Sequence, residues 1–327
     1  YGYDERYPVV TYIEQQKFEL DMSVSNSTEN RKHVLIVGSG SVGKRHAENF
    51  SNLGCDVSSV DPRLDRRNEM RLKFGAKNVY ANLAAALAEN TSFTGVVICS
   101  PPKWHIEQTL ESVKKRLPVF LEKPPAKDLH SAMELQKFLK NSEIETNNTI
   151  LMGYTWRWWP ALRYLHDVLA QGLIGAPYFA RFHVSANLAD WHPWEDYREF
   201  FMSSADLGGG ALLDESHWLD QMLWFFGMPN SIFGTVDKVS DLEITSDDCV
   251  EILAYFDDGL RVSLHLDTIG RPHEKSISIY GRKGFAEWSE KNNTVDILDD
   301  NGKRQTKMFN DERNYMFLCA TKEFFNL

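Results

Sequence analysis

A short apolar run that ends in a glycine turn constrains this chain most. Residues 34–37 read Val-Leu-Ile-Val, and Gly38-x-Gly40-x-x-Gly43 and a potential helix follow them. Strand, glycine turn and helix in this order are typical of a dinucleotide-binding unit: the first glycine permits the tight turn, the second lets the backbone approach a pyrophosphate, and the third lets the helix pack closely on the strand. The pyrophosphate would bind the free N–H groups at the helix start. The predicted cofactor contacts in this turn are Gly38, Gly40, Ser41, Val42 and Gly43.

An acidic residue on the next strand supports this interpretation. Asp61 ends the apolar run 57–60 and lies 18 residues beyond Gly43. An acid in this position can accept hydrogen bonds from the ribose hydroxyls of the adenosine half. It would also repel a 2′-phosphate, which favours NAD over NADP. Arg63 could instead bind that phosphate, so NADP remains the alternative cofactor.

Composition argues against several other classes of protein. The formal net charge of -10 and the absence of a basic stripe argue against a nucleic-acid partner. No apolar run approaches the ~20 residues of a membrane span, so no membrane partner is expected. The four cysteines are far apart and form no C-x-x-C pair, which predicts reduced thiols in a cytoplasmic protein. His265-x-Asp267 has no third ligand in view, so no metal site is predicted.

Alternation of short apolar runs with helical stretches predicts an α/β protein with two domains. We expect residues 1–30 to be a tail or linker, residues 31–152 a doubly wound parallel sheet of the Rossmann type, and residues 153–327 an α/β domain with an open, mostly antiparallel sheet. The strands predicted for the first domain are 34–37, 57–60, 78–80, 96–99, 118–121 and 149–152. Those predicted for the second are 178–187, 231–239, 249–256, 260–267, 276–280, 284–288 and 294–298.

Two proline-rich motifs follow strands of the first sheet, where ligands bind such folds. Ser100-Pro101 and Glu122-Lys123 are therefore predicted to line the cofactor crevice, together with His105. The prolines after Lys123 hold its backbone stiffly, and a lysine partly removed from water loses proton affinity and can serve as a general acid or base. Glu122 could be an ion-pair partner that orients the lysine. The alternative is a surface lysine in a proline-rich turn.

A predicted helix over 212–226 carries polar residues on one face. Asp214, His217 and Gln221 fall within about 60° of one another at 100° per residue. Asp214 could then contact the His217 imidazole, fix its orientation and raise its pKa. We interpret His217 as binding or deprotonating a substrate hydroxyl, and the Gly-Gly-Gly sequence at 208–210 as a helix start that faces a ligand. A histidine satisfied within the core is the alternative, and Asp220 is interpreted as a structural acid.

Aromatic residues and arginines in two further segments are candidates for contact with a sugar. Aromatic planes stack on sugar faces, and an arginine can hold a carboxylate or phosphate through paired hydrogen bonds. Aromatic packing between the domains is an equally weighted alternative. The predicted substrate contacts are Arg157 in the cluster 154–159, and Trp191, Tyr197 and Arg198 in the segment 190–198.

Four motifs in this order resemble the Gfo/Idh/MocA oxidoreductase family, from about residue 32 to the end. They read V-G-S-G-S-V-G-K-R-H, C-S-P-P-K-W-H, L-E-K-P and G-G-G-A-L-L-D-E-S-H-W-L-D. The resemblance implies a Rossmann domain, an open-sheet domain that commonly forms dimers, and hydride transfer between a nicotinamide and a hydroxyl carbon. It also implies that Lys123 is the general acid/base and that His217 and Asp214 lie in the substrate site. The segment D-W-H-P-W-E-D-Y-R-E resembles a branch of bacterial enzymes for surface sugars.

The sequence departs from this family in two places. Many members space the acid and the histidine as D-x-x-x-H, whereas this chain has Asp214-x-x-His217. Family chains also usually continue with helices that return to the first domain, so we expect this chain to be truncated.

The principal hypothesis is an NAD(P)-dependent dehydrogenase or reductase of the EC 1.1.1 type that acts on a sugar, a sugar acid or a nucleotide sugar. The competing hypothesis is a non-catalytic dinucleotide-binding sensor or scaffold, which requires neither Lys123 nor His217. The presence of both residues favours the enzyme.

Overall fold

Two β-sheets with helices around them make up the part of the chain that a computed structural model describes, residues 31–89, 91–141, 150–191 and 195–325. The predicted tail 1–30 and residues 192–194 of the aromatic segment lie outside the described residues, as do the first residue of the strand predicted at 149–152 and the end of the last predicted helix. No helix among the described residues is long and apolar enough to cross a membrane.

The first sheet has six parallel strands in the order β3-β2-β1-β4-β5-β6. Helices connect successive strands, and the strand cores are apolar and buried, as a parallel sheet covered on both faces requires. The predicted Rossmann sheet is confirmed. Its elements are β1 (His33–Val37), α1 (Ser41–Asn52), β2 (Asp56–Val60), α2 (Leu64–Lys73), β3 (Val79–Tyr80), α3 (Leu83–Ala88), β4 (Gly95–Ile98), α4 (His105–Lys114), β5 (Val119–Leu121), α5 (Leu129–Asn141) and β6 (Ile150–Met152).

The second sheet has eight strands in the order β14-β13-β12-β11-β7-β10-β9-β8, and every neighbouring pair is antiparallel except β7 with β10. The predicted open, mostly antiparallel sheet is therefore confirmed. Its elements are α6 (Pro160–Ala170), β7 (Pro177–Ser185), α7 (Ala211–Asp214), α8 (His217–Phe226), β8 (Ser231–Asp237), β9 (Cys249–Tyr255), β10 (Arg261–Asp267), β11 (Glu274–Gly281), β12 (Gly284–Ser289), β13 (Thr294–Asp299), β14 (Arg304–Met308) and α9 (Asn314–Phe325).

One face of the second sheet is covered and the other is open. Inward residues such as Ile277 and Ile279 are fully buried in one core with residues of α6 and α8, whereas the outward residues of β9 are exposed: Glu251, Leu253 and Tyr255. The sequence pattern did not predict β14, because its residues Arg-Gln-Thr-Lys-Met are all exposed and show no apolar alternation.

The predicted single helix over 212–226 is wrong, because the chain forms two helices, α7 and α8, with Glu215 and Ser216 between them. Asp247 fixes the start of α7: its carboxylate Oδ2 accepts a hydrogen bond from the Leu212 N–H at 2.8 Å. The break means that Asp214 and His217 do not share one helical face.

The last helix, α9, packs on the first sheet. Asn314 at its start exchanges side-chain hydrogen bonds with Asn49 of α1 at 2.9 and 3.3 Å. Ala320 and Phe324 join the core that contains Val34 and Phe50. The chain therefore returns to the first sheet after it has completed the second sheet.

Candidate active site

The glycine turn after β1 leaves space at one position only. A Cβ at Gly38, whose φ is +93°, would lie 2.7 Å from the backbone of Cys99 and Ser100, and a Cβ at Gly43 would lie 1.9 Å from the Gly38 carbonyl oxygen. At Gly40 the nearest atom would be Nη1 of Arg66, at 3.9 Å. This open space lies directly before the N-terminus of α1, which has no side-chain cap and no acid in its first turn. These residues fit a dinucleotide pyrophosphate.

Asp61 at the end of β2 fastens this turn to the sheet. Its buried carboxylate accepts hydrogen bonds from the Ser39 N–H at 2.8 Å and from the Arg63 N–H at 2.9 Å. The Arg63 guanidinium donates to Asp65 at 3.1 and 2.6 Å. Arg66, which sequence reasoning missed, lies near the glycine turn, with Nη1 3.8 Å from Asp61 Oδ2.

His105 joins the two loops that follow β4 and β5. Its Nδ1 lies 2.7 Å from the Pro124 carbonyl oxygen and its Nε2 lies 2.7 Å from that of Ser100. The Ser100 hydroxyl donates to Gln108 at 2.6 Å. Burial lowers the pKa of His105, although the two carbonyl oxygens act in the opposite direction. His105 therefore fixes the loops that carry Pro101 and Lys123.

The interpretation of Glu122 as the partner of Lys123 is wrong. Glu122 Oε1 instead lies 2.7 Å from Nε2 of His46, a fully buried residue of α1. This contact links the glycine-turn helix to the loop after β5, and it turns the Glu122 side chain away from the lysine ammonium.

Lys123 reaches across to the second sheet's helical layer. Its Nζ donates to Asp214 Oδ1 at 2.7 Å and to the Asp214 carbonyl oxygen at 2.8 Å, and Asp214 is itself buried. Burial alone would lower the pKa of Lys123, but Asp214, Glu215 and Glu122 together raise it above its usual value. The predicted loss of proton affinity is therefore wrong, because the nearby acids outweigh desolvation.

His217 at the start of α8 lies beside this ion pair with its ring edge toward Tyr154, 5.7 Å between ring centroids. Nδ1 is buried and has no hydrogen-bond partner among the described residues. Burial, Lys123, Lys275 and Arg313 hold the pKa of His217 well below its usual value. The predicted rise through Asp214 is wrong, because that carboxylate binds Lys123. The site thus pairs a charged ammonium with a neutral imidazole.

Arg157 binds α8, the helix that begins with His217. It donates two hydrogen bonds to Asp220, from Nε at 2.7 Å and from Nη2 at 2.8 Å. Asp220 is buried, in agreement with its interpretation as a structural acid. Whether Arg157 also contacts substrate stays a prediction.

Trp191 and Tyr197 of the aromatic segment pack against neighbouring parts of the chain. Trp191 and Tyr197 surround a small core of Leu188, Met202 and Ile244. The Tyr197 hydroxyl accepts from the Glu243 N–H at 3.2 Å, and Trp191 Nε1 donates to the Ala186 carbonyl at 3.2 Å. A role for these two residues in binding substrate stays a prediction.

Arg198 also lies in this segment. Its guanidinium binds Asp196 and Glu243, with N–O distances from 2.7 to 3.2 Å. Its contact with a substrate stays a prediction as well.

The Gly208-Gly209-Gly210 run does not leave space for a ligand at its Cβ positions. A Cβ at Gly208 would lie 2.7 Å from Pro102, and one at Gly209 would lie 2.4 Å from two carbonyl oxygens. A Cβ at Gly210, whose φ is +117°, would lie 2.1 Å from Asp247 Oδ1. Protein atoms fill these positions, so close packing requires the three glycines, and the interpretation of 208–210 as a helix start that faces a ligand stays a prediction.

One further residue at this site, Lys275 on the covered face of β11, escaped the sequence reasoning as a functional candidate. Tyr154, which belongs to the predicted aromatic cluster 154–159, borders His217. Lys275 has a signal in the sequence: it occupies the inward position of the alternating stretch Lys275-x-Ile277-x-Ile279, where a charge is unusual.

Comparison with known proteins identifies both halves of this fold. The sequence model of the Gfo/Idh/MocA oxidoreductase family with an NAD-binding Rossmann fold matches residues 32–147. That of the Gfo/Idh/MocA C-terminal domain matches residues 162–287.

Individual proteins show the same likeness. The chain is 28% identical over 141 residues to 4-carboxy-2-hydroxymuconate-6-semialdehyde dehydrogenase of a Sphingobium strain, covering 42% of this chain and 43% of that protein. It is 26% identical to the rhizopine catabolism protein MocA of Rhizobium meliloti, covering 79% of this chain and 78% of that protein. The crystal structure of levoglucosan dehydrogenase with NADH superposes with a TM-score of 0.78 at 16% identity, covering 90% of this chain and 89% of the other. The chain spans less than two thirds of some of the curated relatives it matches.

Proposed function

Because this chain belongs to the Gfo/Idh/MocA oxidoreductase family, we propose that it is an NAD-dependent dehydrogenase that acts on a hydroxyl carbon of a sugar, a sugar acid or a nucleotide sugar. The observation that carries the proposal is the Lys123–Asp214 pair beside a neutral His217. This group lies at the carboxyl ends of the parallel strands, where the nicotinamide of a bound dinucleotide is expected. A sensor would need no such pair.

The cationic Lys123 and the neutral His217 have complementary roles in this proposal. NAD, when bound, supplies the hydride acceptor. As the substrate C–H bond breaks, the hydroxyl proton passes to the neutral His217 imidazole, and the Lys123 ammonium donates a hydrogen bond to the same oxygen. We assign Nε2 of His217 to the substrate, because Nδ1 is enclosed. In the reverse direction the protonated imidazole of His217 returns the proton to that oxygen, and the Lys123 ammonium again donates a hydrogen bond to it. Asp214 positions Lys123 and keeps it charged.

The cofactor side of the proposal rests on the glycine turn and Asp61. We propose that residues 31–152 bind NAD and that the chain from residue 153 supplies the substrate side, with α9 returning to support the first sheet. Asp61 favours NAD over NADP because its carboxylate would repel a 2′-phosphate, and Arg66 is the cation nearest to that carboxylate among its described neighbours. Tighter binding of NADPH than of NADH in fluorescence titrations would overturn this preference.

The similar proteins support the class of substrate. The matched names include a D-glucoside 3-dehydrogenase of Escherichia coli and an inositol 2-dehydrogenase of Rubrobacter xylanophilus, which are named for a sugar derivative and a polyol. We further propose a cytoplasmic location, which the four free thiols support.

Replacement of Lys123 tests the enzyme assignment. Lys123→Ala should bind NADH with the wild-type affinity, whereas turnover should fall ~10²- to 10³-fold, the usual cost of removing a positioned hydrogen-bond donor to the reacting oxygen. Lys127→Ala is the matched control, since Lys127 lies in the same loop and its ion-pair partner among the described residues is Asp128, at 4.0 Å. Full activity of Lys123→Ala in a screen of sugars would overturn the role of Lys123. Tight NADH binding by wild type without turnover of any substrate would favour the sensor.

We also propose that a second copy of the chain covers the open face of the second sheet. Phe233 of β8 and Leu253 of β9 are direct cross-strand neighbours on this face, 69% and 46% exposed. Apolar side chains grouped on an uncovered sheet favour association. Leu253→Glu should lower the molar mass measured by light scattering to that of a monomer, and Leu72→Glu on the exposed side of α2 should leave it unchanged. A monomeric wild type would contradict this proposal.

A further inference from the structure

A second buried lysine lies beside the site and is not used by the proposed chemistry. Lys275 on β11 is only 6% exposed and points to the covered face of the sheet. Its Nζ lies 5.3 Å from the centre of the Trp156 ring. An ammonium taken out of water in this way is costly unless it is paired and hydrogen-bonded.

The hydrogen-bonding capacity of Lys275 is unused. The nearest carboxylate oxygen in an ion pair is Glu215 Oε1, at 3.9 Å, which is too long for a hydrogen bond. The other oxygen of Glu215 accepts from Trp218 Nε1 at 3.0 Å. Among the described residues, the Lys275 ammonium has no hydrogen-bond acceptor, so its three donors are available to a ligand.

The position of Lys275 connects it to the reacting groups. Asp214 and Glu215 are consecutive residues, and each faces a lysine from a different sheet: Asp214 holds Lys123 at 2.7 Å, and Glu215 lies 3.9 Å from Lys275. His217 follows two residues later, and the positive charge of Lys275 contributes to the low pKa of its imidazole. The unused ammonium therefore borders the place where the proposed hydroxyl reacts.

We propose that Lys275 is a substrate-binding residue that donates hydrogen bonds to the carboxylate of a sugar acid. This inference rests on the proposed function and narrows its substrate class. A single negative charge fits the site, because Glu215 stays nearby and would repel a doubly charged phosphate more strongly than a carboxylate. The carboxylate supplies the acceptors that the protein does not, as a buried ammonium requires.

Equilibrium binding to the NADH-loaded protein tests this proposal without requiring turnover. The probes are D-glucuronate with D-glucose and D-galacturonate with D-galactose, pairs that differ only at C6. Wild type should bind at least one acid ~10-fold or more tighter than its neutral parent, the range of a hydrogen bond to a charged group. Lys275→Met, which keeps the aliphatic packing, should reduce that ratio to about one, and Lys275→Arg should retain a preference for the acid.

Controls separate binding from folding and from catalysis. Lys291→Met, at an exposed position between β12 and β13, should keep the wild-type ratio. NADH affinity and Tm are measured for every variant, and Lys275→Gln is the second neutral variant if Lys275→Met does not fold. Lys123→Ala should lose turnover and keep the acid preference.

Two results would overturn the proposal: equal binding of acid and parent in both pairs by wild type, or an unchanged ratio in a folded neutral variant. An acid preference without turnover of any sugar would contradict the proposed function and leave the role of Lys275 intact.

Discussion

The two glycine turns of this protein contain the same residue type but have different structural roles. In the turn after β1, Gly38 and Gly43 are required by close backbone neighbours, but the Cβ position of Gly40 is free of protein atoms within 3.9 Å. In the turn before α7, protein atoms lie within 2.7 Å of the Cβ position of each of the three glycines, 208–210. The first turn thus leaves room for a ligand, and the second allows the chain to pass between other segments.

The difference determines how each turn contributes to the site. The first turn presents backbone N–H groups at the start of α1, which have no charge to titrate. The second turn leads into the sequence Asp214-Glu215-Ser216-His217 and places its charged side chains beside two lysines. The glycines of the second turn therefore contribute to the site indirectly, because they position the charged side chains that follow them.

The largest expected effect is that of Gly43→Ala. Its Cβ would lie 1.9 Å from a backbone oxygen that cannot rotate away, so α1 must move relative to β1. Overpacking of this kind costs ~1–3 kcal/mol or more, which corresponds to a Tm lower by roughly 2–4 °C for each kcal/mol. Calorimetry of the protein without NADH measures it. Ser51→Ala on the exposed side of the same helix is the control, and an unchanged Tm for Gly43→Ala would contradict the tight packing.

Gly40→Ala should show the opposite behaviour within the same turn. Gly40 has φ of -73°, which alanine adopts readily, and its Cβ would meet no backbone atom within 4 Å. Stability should therefore change by no more than ~0.5 kcal/mol, whereas NADH should bind about tenfold more weakly because a methyl group enters the pyrophosphate space. Fluorescence titration measures this. Wild-type affinity would place the pyrophosphate elsewhere.

The first turn and both sheets could be predicted from the sequence because their signals are local. The apolar run 34–37 and the spacing of three glycines lie within a dozen residues, and they specify a strand, a turn and a helix. The alternation along β9, β10 and β11 similarly identifies inward and outward positions. The exposed β14 lacks such a pattern and was missed.

The charge pairing at the site could not be predicted in the same way. Asp214 lies 91 residues from Lys123, and nothing in a helical period reveals that its carboxylate turns to that lysine rather than to His217. The start of α7 is likewise held by Asp247, which is also distant in the chain. The pKa prediction for His217 assumed Asp214 as its partner, and that for Lys123 assumed that desolvation decides its pKa, so both had the wrong direction.

The pH dependence of stability tests whether the second turn carries the titratable part of the site. The folded protein holds the pKa of His217 well below 6.5. Above pH 6.5 both folded and unfolded chains keep this imidazole neutral, so it does not change stability there. As the pH falls below 6.5, the unfolded chain binds a proton that the folded chain does not, and stability is lost until the pH reaches the folded pKa. The limit is ~1.4 kcal/mol for each pH unit.

His217→Gln should therefore lose less stability than wild type between pH 6.5 and 5 in urea denaturation, and the two should respond equally between pH 7 and 8. His130→Gln, at a side chain 87% exposed, is the control and should follow wild type. NADH affinity should not change, because the proposed pyrophosphate contacts are backbone groups at Gly40 and at the N-terminus of α1, and His217 is not among them. Equal losses for wild type and His217→Gln would mean that the folded protein protonates His217, which would remove the proton acceptor from the proposed reaction.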